Sequence, residues 1–319
     1  MNEHGAVSRA TSPELAPVVL FAYMRPDHLR RTVSSLLRNP EAAATHLTVY
    51  CDAPKRPEHR AGVEAVRTYV KSLSGFASVT RVYRDENLGL AQSIIQGVTQ
   101  ALQESDRVIV LEDDLLLSPH FLRYMNDGLA CYRDDAQVAS IHGYWYPIDE
   151  PLPETFFLKG ADCWGWATWA RAWQHFEPDG KRLLEQVREQ RLSREIDYDG
   201  NYPHMRILKR QIAGRNDSWA IRWHVACYLK GMVSLYPSRS VVENIGHDSS
   251  GTHCGGSEVY SGEVSAHRIS VSRIEPIASE SARAVAIRFF RKTKESTSQK
   301  VFRRLRHRLA MLQATRASQ

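Results

Sequence analysis

The residues best suited to chemistry in this chain stand side by side, in Glu112-Asp113-Asp114. They follow Arg107-Val-Ile-Val-Leu111, a short apolar run of strand character, and precede Ser118-Pro119, a helix-opening pair. Three adjacent carboxylates repel one another unless something positive sits among them. Ligands that are all oxygen suit Mg2+ or Mn2+, ions usually shared with a substrate's phosphates rather than caged by protein alone. The plain alternative is a solvated acidic turn.

The elements that must position this cluster can be read on either side of it. Pro17–Tyr23 reads as a buried strand, and Leu47–Cys51, Val79–Tyr83, Arg107–Leu111 and Val138–Tyr144 read as further strands. Amphipathic helical stretches alternate with them: from Pro26 to Leu37, Pro57–Leu73, a helix ending near Leu102, and Pro119–Tyr132. Strands and helices alternating at this spacing predict right-handed βαβ units and a mostly parallel sheet flanked by helices. Arg25, Asp52, Arg84 and Glu112–Asp114 follow successive strands, so they would line one sheet edge together. In open α/β sheets that edge is where ligands bind.

After Tyr146 the pattern changes. Pro147, Pro151 and Pro153 mark a linker, followed by Cys163-Trp-Gly-Trp-Ala-Thr-Trp-Ala-Arg-Ala-Trp173, with four tryptophans. Their spacing reads as core on a helix, while Trp164-Gly165-Trp166 before that helix reads equally as an aromatic platform for a sugar ring. Lys181–Ile196 is helical and charged, Asp197–Pro203 is a loop, Asp217–Gly231 is an amphipathic helix and Val233–Tyr236 a strand. A loop rich in glycine runs from Gly246 to Gly256.

Composition sets the bounds. With 319 residues, 43% of them hydrophobic and 24% charged, the chain suits a soluble globular protein with a large core. No apolar run approaches the roughly 20 residues of a membrane-spanning helix. Val18–Tyr23 is too short and too late for a signal peptide, so export is not expected. Five scattered cysteines without a Cys-x-x-Cys pair suggest neither a disulfide framework nor a zinc site. The Gly-x-x-x-x-Gly-Lys-Ser/Thr loop, the Gly-x-Gly-x-x-Gly loop after the first strand and the Gly-x-Ser-x-Gly elbow are all missing. A nucleotide bound here would therefore rely on a metal and on scattered polar residues.

Taken in order, these motifs resemble the GT-A nucleotide-sugar glycosyltransferases of the broad family-2 type, with a layout like that of the N-acetylglucosaminyltransferase I enzymes. The resemblance runs from Pro17 to Cys254. It rests on Arg25, Asp52, Glu112-Asp113-Asp114 as a DxD-like motif, Gly165-Trp166, Asp217-Ser-Trp219 with Arg222, and Pro237-Ser-Arg239 leading to Gly246-His247. It implies an α/β GT-A fold and an inverting, metal-dependent transferase. Arg25 and Asp52 would contact nucleotide base and ribose, Glu112 and Asp113 would lie in the donor site, and Asp114 would ligate Mn2+ or Mg2+, with His247 as a second ligand and His253 a weaker form of the same idea. Asp217 would be the catalytic base, although Asn216-Asp217-Ser218 is also a good helix cap; both roles can coexist. Trp164, Trp166 and Trp219 would meet the acceptor. Where the resembled enzymes carry a histidine after the third strand this chain has Arg84-Asp85-Glu86-Asn87, so base recognition would fall to Arg84 or Asn87.

The C-terminal stretch stands apart. From Ser281 onward eleven Lys or Arg face one acid, Glu295, which leaves 31 basic and 35 acidic residues for the rest. Val301, Phe302, Leu305, Leu309 and Leu312 recur at helical spacing among arginines, as in basic helices that lie on anionic bilayers; a partner-binding helix shares the pattern. The expected organisation is a leader at 1–15, a GT-A domain at 16–280 divided near 146/147 into a nucleotide-sugar half and an acceptor half, and a basic amphipathic tail at 281–319. The expected activity is transfer from a nucleotide-diphosphate sugar, UDP being the expected nucleotide, to a glycan or lipid-linked glycan at the inner face of a membrane, as in polysaccharide assembly. The alternatives are a sugar-phosphate nucleotidyltransferase and a nucleic-acid-associated protein using the basic tail; nucleic acid is not the expected partner.

Overall fold

In a computed structural model, which describes residues 15–246 and 258–293, the chain builds an eight-stranded sheet between two layers of helices. The elements in chain order are β1 (Val18–Ala22), α1 (Pro26–Leu37), β2 (His46–Cys51), α2 (Arg60–Lys71), β3 (Ser78–Tyr83), α3 (Gly89–Glu104), β4 (Arg107–Glu112) and β5 (Leu115–Leu117). They continue with α4 (Phe121–Cys131), β6 (Val138–His142), β7 (Thr155–Lys159), β8 (Trp166–Trp169), α5 (Ala170–Trp173), α6 (Gly180–Glu189) and α7 (Ser193–Ile196). The last are α8 (His204–Ile212), α9 (Trp219–Leu229), β9 (Val233–Pro237), β10 (Val242–Asn244) and α10 (Glu280–Thr293).

The strand order is β3-β2-β1-β4-β8-β6-β9-β7. Only β7 and β8 run against the rest, so the sheet is mostly parallel, as the alternating pattern predicts. Period-two alternation splits β1 between the layers. Val18, Leu20 and Ala22 join Leu29, Val33 and Leu36 of α1 and the apolar face of α4, whereas Val19 and Phe21 meet Ala91, Ile94 and Val98 of α3. Between β1 and β4 the strand order reverses direction, which opens a crevice at their carboxyl ends.

Two sequence expectations change here. Trp166-Ala-Thr-Trp169 is a fully buried strand, β8, inserted antiparallel between β4 and β6, and only Ala170–Trp173 is helical. Tertiary pairing overrides the helical spacing of the tryptophans. The basic segment also does not begin at 281 as a free tail. Through residue 293 it is α10, which buries Ala282, Val285, Ala286 and Phe290 against Trp145, Phe156, Leu158 and Tyr236. Residues 294–319, including the Val301–Leu312 stripe, lie outside the described residues. No helix among the described residues is long and apolar enough to cross a membrane.

The α10 contact gives a stability prediction. Phe290 is 2% exposed, so Phe290→Ala is expected to lower unfolding free energy by about 3–5 kcal/mol in chemical denaturation. A chain ending at residue 279 should unfold at markedly lower denaturant than one ending at 293.

Candidate active site

The site is built where β1 and β4 lie side by side, with Phe21 opposite Glu112 in the register. The residues that follow each strand therefore meet. Arg25, just past β1 and at the start of α1, donates through Nη2 to Asp113 Oδ1 at 2.5 Å and to Asp114 Oδ2 at 2.8 Å. The Tyr23 amide donates to Asp113 Oδ2 at 3.3 Å, and Thr32 Oγ1 of α1 donates to the Asp113 carbonyl at 2.8 Å. Asp113 and Asp114 are buried. The positive group that three adjacent carboxylates require is thus a guanidinium of the chain itself.

Burial works against the charge on Arg25, but Asp113 and Asp114 outweigh it and hold the guanidinium above its ordinary pKa. Burial, reinforced by Asp114 and Asp113, pushes the half-buried Glu112 up to about 8, and burial raises Asp113 as well, against the pull of Arg25. Three acidic side chains thus crowd around one guanidinium. Arg25 Nη1 is buried and has no hydrogen-bond partner among the described residues. Clustered carboxyl oxygens beside a cationic side chain with donor capacity to spare fit a divalent cation that arrives with an anionic ligand.

A second segment closes on the cluster. The Ile245 amide donates to the Asp114 carbonyl at 2.8 Å, just beyond β10, which pairs with β5. A side chain at Gly246 would collide with Asp114 Oδ2 and stand 3.0 Å from Arg25 Nη1, so only glycine fits. His247 and His253 follow and lie outside the described residues, so their expected metal-binding roles do too.

Asp52, at the end of β2, is used differently from the expectation. Its carboxylate accepts from the Leu88 and Gly89 amides at 2.9 Å each, from Ala53 N at 3.0 Å and from Asn87 Nδ2 at 3.1 Å. Four donors saturate a carboxylate. Asp52 therefore holds the first turn of α3 and has no acceptor capacity left for a nucleotide. Asn87 spends its amide on Asp52 and on Ala53 O at 2.7 Å, which leaves its carbonyl. Arg84 lies 5.4 Å over the Tyr50 ring and reaches Gln96 of α3.

Asp217 arrives on the same edge from the second half of the chain, its Oδ2 3.9 Å from a Cβ position at Gly89. Its side chain is 59% exposed, and Arg222 Nη2, on a buried side chain, stands 3.9 Å from Oδ1. The helix cap is Ser218, whose Oγ accepts from Ile221 N, so Asp217 is not occupied with capping. Two of the expected acceptor residues are corrected: Trp166 and Trp219 are 1% and 3% exposed and stack on each other at 5.4 Å among Trp173 and Trp223. Rings sealed in a core cannot receive a sugar; they seat the start of α9 and so fix where Asp217 stands. Trp164 remains half-buried against Tyr144, with Tyr260 nearby.

Sequence reasoning missed Tyr23 and Thr32 in this site, and missed Tyr144 and Tyr260 beside Trp164; Gly246 was legible as the first residue of the Gly246–Gly256 loop. A surface cavity lined by Cys131, Arg133, Asp135 and Arg273 lies at the other end of the sheet, where Arg133 pairs with Asp106 before β4, and takes no part in this chemistry.

No protein-family model matches the chain, and no curated protein matches it. Among solved structures it is similar to a mannosyltransferase from Pyrobaculum calidifontis in complex with GDP-Man and Mn2+, at 16% identity and a TM-score of 0.31 over 44% of this chain and 41% of that one. It is also similar to S. aureus TarS 1-349, at 12% identity and a TM-score of 0.29 over 46% of this chain and 42% of that one. A third is a Bacillus anthracis structure described as a glucose-1-phosphate thymidylyltransferase in complex with a sucrose, at 11% identity and a TM-score of 0.30 over 51% of this chain and 75% of that one. The chain spans less than half the length of the first two. Likenesses this distant leave the function to the site's own geometry.

Proposed function

We propose that this chain is a nucleotide-sugar glycosyltransferase of the GT-A type that inverts configuration at the donor's anomeric carbon. The observation that carries this reading is the grip of Arg25 on Asp113 and Asp114, beside Glu112, in the crevice between β1 and β4. That arrangement suits a nucleoside diphosphate with its divalent cation. UDP as the nucleotide, and a glycan or lipid-linked glycan as the acceptor, rest on the motif resemblance.

Asp114 is the residue that would hold Mn2+ or Mg2+, with His247 as its partner. When bound, such an ion neutralises charge developing on the diphosphate leaving group. Asp113, oriented by Arg25 and the Tyr23 amide, accepts from a ribose or sugar hydroxyl. Arg84 and the free carbonyl of Asn87 serve the base, while Asp52 positions them by holding the α3 turn. Asp217 takes the proton of the attacking acceptor hydroxyl. A single exposed carboxylate suits direct displacement with inversion, in contrast to the carboxylate pair of glycosidases. Trp164 offers the acceptor an aromatic surface. Residues 294–319, with their run of arginines, serve attachment to an anionic surface.

The test is a thermal-shift panel of nucleotide sugars with and without Mn2+. Stabilisation by one nucleotide class, dependent on metal, is the expected result. No shift with any nucleotide sugar would sink the proposal. A shift with a nucleoside triphosphate and a sugar 1-phosphate in their place would assign a nucleotidyltransferase.

A further inference from the structure

Away from the acidic cluster, a second group of ligating side chains converges under the loop leading into β8. Asp162 belongs to that loop, His204 opens α8 and His224 lies within α9. One carboxylate oxygen and one ring nitrogen from each histidine lie within 4.8 Å of one another. The two imidazoles stack with centroids 4.3 Å apart.

Hydrogen bonding settles their tautomers. His204 Nδ1 lies 2.8 Å from Ile196 O, and His224 Nδ1 lies 3.0 Å from Ala161 O. A carbonyl can only accept, so each Nδ1 carries the proton and each Nε2 keeps its lone pair. His224 is 3% exposed, and its Nε2 has no hydrogen-bond partner among the described residues. Asp162 accepts from Tyr236 Oη at 2.8 Å through one oxygen, and no Lys or Arg among the described residues forms an ion pair with it. Two buried imidazoles and a half-buried carboxylate are gathered in one place, with no cationic side chain among the described residues paired to them.

We propose that Asp162, His204 and His224 form a second metal site, for a Zn2+-class transition ion, distinct from the acidic cluster at Asp113 and Asp114. Two imidazole nitrogens and one carboxylate suit zinc far better than Mg2+ or Ca2+. The outer partners are of the kind such sites use: backbone carbonyls on each Nδ1–H and a tyrosine hydroxyl on the carboxylate. Gly160, at φ +84°, lets the imidazole in, since a side chain there would stand 2.7 Å from His224 Cε1. Tetrahedral zinc places its nitrogen ligands about 3.3 Å apart, so the three groups need only close by side-chain adjustment. The ion would staple α8 and α9 to the loop carrying Cys163 and Trp164, and so brace the wall of the active site.

The full-length protein, stripped with EDTA and dialysed, is titrated with Zn2+ by calorimetry and with Co2+ by visible absorption. One tight equivalent of Zn2+ and a tetrahedral Co2+ spectrum are expected. His224→Gln and Asp162→Asn should each weaken Zn2+ by more than the 10–100-fold typical of losing an outer partner. Asp114→Asn and His247→Ala should leave it unchanged. The proposal is overturned if the stripped wild-type protein takes up no stoichiometric Zn2+, if uptake survives both ligand substitutions, or if Asp114→Asn removes it. The wild-type measurement does not depend on a variant folding. Nucleotide sugar enters neither measurement, so this proposal and the transferase reading can fail separately.

Discussion

Replacing Asp114 by Asn is expected to cut transfer at least 100–1,000-fold while leaving the fold intact, roughly the scale on which a preorganised electrostatic contact acts on a developing charge. Removing one partner of a buried ion pair ordinarily destabilises by about 3–5 kcal/mol, because a charge is left alone. Here Arg25 keeps Asp113 at 2.5 Å, and the substitution removes one acidic group from three crowded around a single guanidinium. The metal-free variant should therefore melt at or above the temperature of the metal-free wild type. Mn2+ together with nucleotide sugar should raise the wild-type melting temperature but not that of the variant. Near-wild-type turnover at limiting Mn2+ would remove Asp114 from the metal site. A large loss of metal-free stability would mean that its bond to Arg25 is chiefly structural.

Much of the frame for this prediction was legible in the sequence. Three of the first four strands, β1, β2 and β4, carry mostly apolar runs bounded by polar turns, β3 is mixed, and parallel pairing follows from the helices between them. Once β1 and β4 are neighbours, Arg25 and Glu112–Asp114 must meet, since both follow the carboxyl ends of adjacent strands. What stayed hidden depends on contacts distant in the chain. Trp166–Trp169 reads as the approach to a helix because nothing local announces that it will pair with β4 and β6. Asp52 reads as a ligand-binding residue, because a carboxylate that caps a helix some 36 residues later leaves no local mark. Asp162, His204 and His224 come from three elements with no shared spacing, so no motif joins them before the fold does. The basic segment misleads for another reason. Charge dominates the reading of residues 281–293, yet their energetics are set by Phe290 and the small residues beneath it.

Asp217→Asn should separate donor binding from chemistry. An amide cannot take a proton from the acceptor hydroxyl, and the loss of a general base typically costs about 10^2–10^4-fold in rate. Nothing else at this position should change much. The side chain is 59% exposed, Ser218 provides the helix cap, and Trp219 anchors the segment by stacking on Trp166. Stability should thus stay within about 0.5 kcal/mol of wild type, as for ordinary surface substitutions. Arg222 keeps its bonds to the Ser218 and Pro178 carbonyls, so the loss of a carboxylate 3.9 Å away leaves it partnered. The expected outcome is a fall in kcat with donor affinity, read from the nucleotide-sugar thermal shift, unchanged. Donor affinity falling as far as the rate would show that Asp217 shapes the donor pocket beside Gly89 instead of receiving the proton.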